Sequence, residues 1–356
     1  MNRTFQGMTI LIGSVPNTEP KEIIPVILNT TRECPIWPQL PRRFWKEDMF
    51  TQFSAQLPGL VEDEDNKSIY VDRQQDNYPE LLVEFYEKAL KAVDTGCYSD
   101  FSIDEKVAAG LKPTIELLSS SNQLPPFIKI HVTGPISFGL ALKDEKRNPL
   151  LFDDDYRDIL IRNCTLKALW QASQFKKIGS KIICFVDEPS LASFGSSAMI
   201  SISYEMVKKA LSAIVNDLKT EKIITAVHVC GNSDWAMLID SGFDIINFDA
   251  YGYGENIALY SNKIKSFLKN GGALAWGIVP TDERALSETG SSLLNRFEQY
   301  KNNLVKNGIS EETICKQCIF TPSCGMGTMK IEDAKHVLKL LVEVSELFRA
   351  KYFKNA

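Results

Sequence analysis

The sequence predicts an α/β fold: a single (β/α)8 TIM barrel with an N-terminal hairpin or helical excursion between its early strands. Three observations carry this expectation. From residue 127 onward, short β-branched-rich runs alternate with helical patterns, as parallel strands joined by crossover helices do. Eight such runs can be counted in 356 residues, a length that suits one barrel. The residues able to do chemistry sit at or just past the carboxyl ends of these runs, where barrels keep their active sites. A doubly wound sheet is the alternative, but the first run is followed by no GxGxxG and the chain has no Walker A motif.

Taken in order, MTILIGS opens the chain with a strand over 8–13, followed by a helix over 19–31 whose Pro20 sits in the first turn. CPIWPQLP is extended, because prolines at 35, 38 and 41 deny it a helix, and 36–39 reads as a short second strand. Residues 59–76, GLVEDEDNKSIYVDRQQD, read as an acidic hairpin or loop excursion, and helices follow over 79–94 and 103–119. Strands are then expected over 127–133, 181–187, 223–230, 245–250, 273–279 and 317–323. Helices over 154–178, 203–219, 234–241, 255–269 and 291–307 separate them, and an amphipathic helix over 332–352 closes the chain. No linker, repeat or low-complexity tract interrupts this series, so residues 1–356 read as one catalytic domain.

Composition narrows the function. With 44% hydrophobic and 24% charged residues the chain has the make-up of a soluble globular enzyme. A net charge of −5, with no basic aromatic-rich stripe, argues against a nucleic-acid partner. No apolar run approaches the roughly 20 residues that span a membrane. The start, MNRTFQGMTILIGS, has neither a secretory h-region nor a small-residue cleavage site, and a cytoplasmic location is expected. The eight cysteines lie in apolar or reactive-looking segments of a chain too large to need disulfide staples. Most of the isolated ones (Cys34, Cys97, Cys164, Cys184) are expected as small buried hydrophobes.

Three segments carry the chemistry: His228-Val229-Cys230-Gly231-Asn232, Asp249 after an apolar run, and Cys324 within TPSCGMG. On a strand, residues i and i+2 share a face, so His228 and Cys230 project together. One imidazole, two thiolates and a carboxylate form a ligand set that zinc takes. Glu255 competes with Asp249 for the fourth position, but Asp249 is nearer the strand end. A local site from Cys315, Cys318 and Cys324 is the competing arrangement, although no second CxxC completes it. Asp187 and Glu188 end a strand, and one of the two carboxylates can grip a substrate ammonium, while Gly13 and Ser14 offer backbone N–H groups to a carboxylate. His131 reads as a core histidine, and His336 as surface or structural.

These segments together resemble a known family. Ile12-Gly13-Ser14 with Pro16 and Thr18 resembles an IGSxPxT start, Val132-Thr133-Gly134-Pro135 a VTGP segment, and Asp187-Glu188-Pro189 a DEP segment. His228-x-Cys230, Asp249 and Pro322-x-Cys324-Gly325 resemble three zinc segments. All six occur in this order in the C-terminal catalytic barrel of cobalamin-independent methionine synthases, within the superfamily that holds uroporphyrinogen decarboxylase and corrinoid-dependent thiol methyltransferases. The resemblance implies a zinc-dependent methyltransferase acting on a small-molecule thiol, homocysteine first, to give methionine. Ile12, Gly13 and Ser14 would hold the substrate carboxylate, and Asp187, with Glu188 beside it, the ammonium group. Zinc on His228, Cys230, Asp249 and Cys324 would hold the sulfur, with Asp249 leaving as the thiolate arrives.

The chain also departs from the family pattern. The glutamate ligand is Asp249 here, the HGE segment has no match in WPQLPRR, and the seventh-strand loop, Gly277-Ile278-Val279-Pro280, lacks the family's histidine. The folate-binding half of those enzymes has no counterpart. The resemblance therefore implies methylcobalamin or a methylated corrinoid protein as donor. A corrinoid-linked methyltransferase with another thiol acceptor is one alternative. A uroporphyrinogen-decarboxylase-like lyase is the other, and it leaves the HxC…C set unexplained.

Overall fold

Seven parallel strands make up the sheet of this computed structural model, which describes residues 4–121 and 123–353. In chain order the elements before the regular repeat are β1 (Met8–Thr9), α1 (Pro20–Thr30), the hairpin β2 (Leu60–Asp63) and β3 (Ser68–Val71), α2 (Tyr78–Thr95) and α3 (Leu111–Ser119). The repeat begins with β4 (Phe127–Thr133), α4 (Pro135–Ala141), α5 (Asp154–Phe175), β5 (Lys181–Asp187), α6 (Tyr204–Thr220) and β6 (Ile224–Val229). It continues through α7 (Trp235–Asp240), β7 (Ile245–Phe248), α8 (Ala250–Tyr253), α9 (Ser261–Lys269) and β8 (Ala273–Val279). Last come α10 (Gly290–Lys306), α11 (Glu311–Lys316), β9 (Cys318–Pro322) and α12 (Ile331–Tyr352). The strand order is β1-β9-β8-β7-β6-β5-β4, a curled half-barrel.

The closed eight-stranded ring expected from the sequence is thus seen as seven ladder strands. Residues 33–39 run between the two sheet edges as an irregular segment. Phe127 and Lys129 N–H donate to the carbonyls of Glu33 (3.0 Å) and Pro35 (2.9 Å). At the other edge Gln39 N–H donates to Gly13 O (3.2 Å), and Val15 N–H to Gln39 O (3.0 Å). Pro35 and Pro38 have no N–H to give, so the expected strand over 36–39 pairs only through single bridges, Ile36 to Lys129 and Ser14 to Gln39. The first strand, expected over 8–13, is regular only at Met8–Thr9 for the same reason: its later residues face this irregular segment.

Two expected helices are shorter than their patterns. The helix expected over 103–119 is regular only over Leu111–Ser119, preceded by a 3-10 turn, Glu105–Val107, capped by Asp104. Pro113 explains this: it is tolerated in a first turn but breaks a helix begun at 103. The helix expected over 255–269 divides into a 3-10 segment, Gly254–Tyr260, and α9. The acidic excursion is a true hairpin, with Leu60 paired to Val71 and Asp63 to Ser68, and Lys46 bridges its Glu62 and Glu64 at 2.5 Å each.

Alternation along the strands sets the polarity of the sheet. Phe248 of β7, Trp276 of β8 and Phe320 of β9 turn to the helices and join Trp235, Phe297 and Phe348 in a chain of ring contacts 5.1–5.4 Å apart. Such pairs contribute about 0.5–1.5 kcal/mol each beyond their buried area. Their strand neighbours Asn247, Ala275 and Thr321 then face the opposite side, the inside of the curl. All eight cysteines are free; Cys34, Cys164 and Cys184 are buried, but Cys97 is exposed, just beyond Gly96, whose φ of 65° ends α2. Among the described residues no helix is long and apolar enough to cross a membrane.

Candidate metal centre and substrate cleft

Strand register builds the site. Thr133 pairs with Asp187, Asp187 with His228, and His228 with Asn247, so four polar residues form one rung across β4–β7. Cys230, two residues past His228, continues the same face beyond the strand end. Cys324 arrives from the loop after β9, and that loop is tied to the first strand's loop: Met326 N–H donates to Ser14 O (2.8 Å) and Gly327 N–H to Ser14 Oγ (3.3 Å).

One donor atom from each of His228, Cys230 and Cys324 lies within 4.8 Å of the others. Among the described residues this is the one group of three such donors. His228 Nδ1 lies 2.5 Å from Asn247 Oδ1, whereas Nε2 is buried without a partner. An orphaned imidazole nitrogen beside two thiols suits a cation that takes N and S ligands, as zinc does. The charges agree with this. Contact with Cys324 and the His228 ring holds the Cys230 thiol well below its usual range, against its burial. Cys324, beside Cys230 and buried, is pushed up. Burial works to lower His228, but the Cys230 sulfur and the Asp187 carboxylate raise it above its ordinary value.

The group opens on a cleft of about 660 Å³, lined by Ile12, Ser14, Asp187, His228, Cys230 and Cys324. Asp187 Oδ1 is buried without a partner, and burial raises its carboxyl above the ordinary range, with Lys129 and His228 opposing. Lys129, wholly buried on β4, donates to the Ile12 carbonyl and is itself lowered to about 8 by burial. The cleft is also lined by Gln39, Arg42, Glu47 and Thr328, which sequence reasoning did not single out. Arg42 Nη2 donates to Thr328 O (2.6 Å) across its mouth, and Glu47 pairs with Arg43 at 2.8 Å.

Not every expected site residue joins them. Gly13 lies behind the cleft, where a Cβ would meet Gln39 Oε1 at 2.7 Å. Glu188 turns away: its carboxylate accepts from Ile136 N–H (2.9 Å), Ser137 N–H (2.7 Å) and Ser137 Oγ (2.6 Å) at the start of α4. Successive residues at a strand end point to opposite sides, so Asp187 and Glu188 cannot both face one ligand. Asp249 stands outside the three-donor group, and its Oδ1 accepts from Gly252 N–H (2.8 Å) to cap α8. Glu255 is exposed. Cys315 and Cys318 are buried, their thiols pushed up by burial, and neither enters the group with Cys324. His131 is buried and stacked on Trp37, with ring centroids 4.4 Å apart, and His336 Nε2 lies 3.2 Å from Ala285 O.

Sequence reasoning also missed Asn247 and Lys129. The available signal was a polar residue inside an apolar strand, Lys129 two places before His131 and Asn247 two places before Asp249.

Comparison with known proteins agrees with the family resemblance. No family model matches the chain. A methionine synthase from Methanocaldococcus jannaschii is 26% identical over 254 residues, covering 67% of this chain and 71% of that protein. A B12-independent methionine synthase from Shewanella sp. W3-18-1, solved in complex with selenomethionine, shares the fold with a TM-score of 0.53 at 14% identity, over 98% of each chain. That protein matches from end to end and is described as B12-independent. Neither match supports the expected methylcobalamin donor or corrinoid partner.

Proposed function

We propose, from the premise that the chain is a methionine synthase-like methyltransferase, that it transfers a methyl group to homocysteine, giving methionine, at a zinc ion held by His228, Cys230 and Cys324. The observation that carries this reading is the convergence of one imidazole and two thiols, from β6 and from the loop after β9, on a cleft that also holds an unpartnered carboxylate oxygen. We read residues 33–39 as the irregular eighth stave of a barrel and residues 1–356 as one catalytic unit. The eight unpaired thiols favour a reducing, cytoplasmic setting.

The zinc ion would hold the acceptor as a thiolate at neutral pH, where a free thiol, with a pKa of about 8.5, is mostly protonated. The protein's own residues orient the acceptor. Asp187 Oδ1 receives the ammonium group, and its burial excludes competing water. Ile12 and Ser14, held in place by Lys129 and by the Cys324 loop, flank the substrate carboxylate. Asp249, which caps α8, would supply the exchangeable fourth position if it turned to the metal. Glu188 supports the floor by fixing α4 and touches no substrate. A decarboxylase reading would want several cleft arginines. Among the described lining residues there is one, Arg42, and the paired sulfurs would be idle.

Metal analysis and methionine formation test the reading together. The purified protein should carry one zinc and methylate homocysteine, and His228→Ala and Cys324→Ser should lose both properties while keeping their fold. Full activity in both variants would refute it.

A further inference from the structure

Asn247 has no other task than to hold its neighbours. It is fully buried on β7, directly opposite His228 in the parallel register. Its Nδ2 makes two donations, to Ala275 O at 2.9 Å and to Thr321 Oγ1 at 2.8 Å. The Ala275 carbonyl can only accept, so the amide cannot be flipped without setting two acceptors face to face. Oδ1 is left as a pure acceptor 2.5 Å from His228 Nδ1. A bond at that distance requires a proton on Nδ1. In the neutral ring the lone pair then lies on Nε2, the nitrogen that has no partner in the fold. Without an acceptor at 247, the ring would be free to choose either tautomer.

We infer that Asn247 is a positioning residue that locks His228 in the Nδ1–H form and so reserves Nε2 for the metal. This rests on the zinc reading above and adds to it the choice of ligand nitrogen and the residue that makes that choice. Partners that orient a ligating histidine are generally worth 10–100-fold in metal affinity. Asn247 is itself held by two strands beyond β6, so the choice is built into the sheet and not into a loop.

Histidine-selective 15N NMR tests this directly, because the chain has three histidines and His228→Ala identifies the resonance. The zinc-loaded protein should show a protonated Nδ1 and a metal-bound Nε2. By chelator competition, Asn247→Ala should bind zinc about 10–100-fold more weakly. Asn247→Asp, which keeps an oxygen for Nδ1–H, should bind more tightly than Asn247→Ala. Coordination through Nδ1 in the wild-type protein would overturn the inference, and that spectrum decides even if Asn247→Ala fails to fold. Zinc binding that is weakened in His228→Ala but unchanged in Asn247→Ala would overturn this inference alone. A wild-type protein that takes up no zinc would overturn the zinc reading and this inference with it.

Discussion

Gly325 and Ser14 are packed so closely that a Cβ on Gly325 would lie 2.3 Å from Ser14 Oγ. That contact joins the loop carrying Cys324 to the loop after β1, so the proposed metal ligand and a cleft wall are positioned by one junction. Gly325→Ala must either turn the Ser14 hydroxyl away from Gly327 N–H or push the two loops apart. Overpacking of this kind costs about 1–3 kcal/mol. We expect a lower denaturant midpoint together with weaker zinc binding. A variant with wild-type zinc affinity would mean that the Cys324 loop is positioned from elsewhere.

Asp187 should matter for the substrate and not for the metal. Its Oδ1 is buried without a partner and lines the cleft, while the three-donor group does not include it. A hydrogen bond to a charged group is worth about 1.5–3 kcal/mol, so Asp187→Asn should raise KM for homocysteine roughly 10–100-fold with zinc content unchanged. Steady-state kinetics beside metal analysis checks this, and an unaltered KM removes Asp187 from substrate binding.

Glu188 gives the fold a pH dependence of known sign. Burial pushes its carboxyl from 4.5 up to about 7, against the hydrogen bonds from Ser137 and Ile136. The folded state therefore holds this proton more tightly than the unfolded chain. The resulting stability is fully present below pH 4.5 and is lost as pH rises through about 7. Glu188→Gln removes the titration. The stability of the wild type minus that of the variant should fall between pH 5 and pH 8 in urea unfolding; a constant difference would contradict the assignment.

Removing the metal should abolish methyl transfer without unfolding the chain. His228 lies within a central strand, β6, paired on both sides, and Cys324 follows β9, paired to β8 and β1. The sheet holds both elements without an ion. Chelator-treated protein should keep its circular dichroism and most of its thermal stability. Collapse on chelation would indicate a structural zinc site.

Much of this molecule was legible in its sequence wherever a run was apolar throughout. β4, β5 and β8 begin and end where their patterns do, because strands covered on both faces need no alternation to be recognised. Prolines were harder to weigh. Pro35 and Pro38 made residues 33–39 a seam instead of a strand, and Pro113 delayed α3 to Leu111. In the site, His228 and Cys230 could be read as a pair because spacing alone fixes their common face. Glu188 could not be separated from Asp187, because which face of β5 lines the cleft is set by its pairing with β4 and β6. Asn247 was hidden for a different reason: its role depends on Ala275 and Thr321, which no local pattern links to it.

X-ray absorption at the zinc edge tests the central claim most directly. We predict one zinc per chain with two sulfur neighbours at about 2.3 Å and an imidazole nitrogen at about 2.0 Å, one sulfur being lost in Cys230→Ser and one in Cys324→Ser. A protein without zinc, or a sulfur shell that neither substitution alters, would contradict the account.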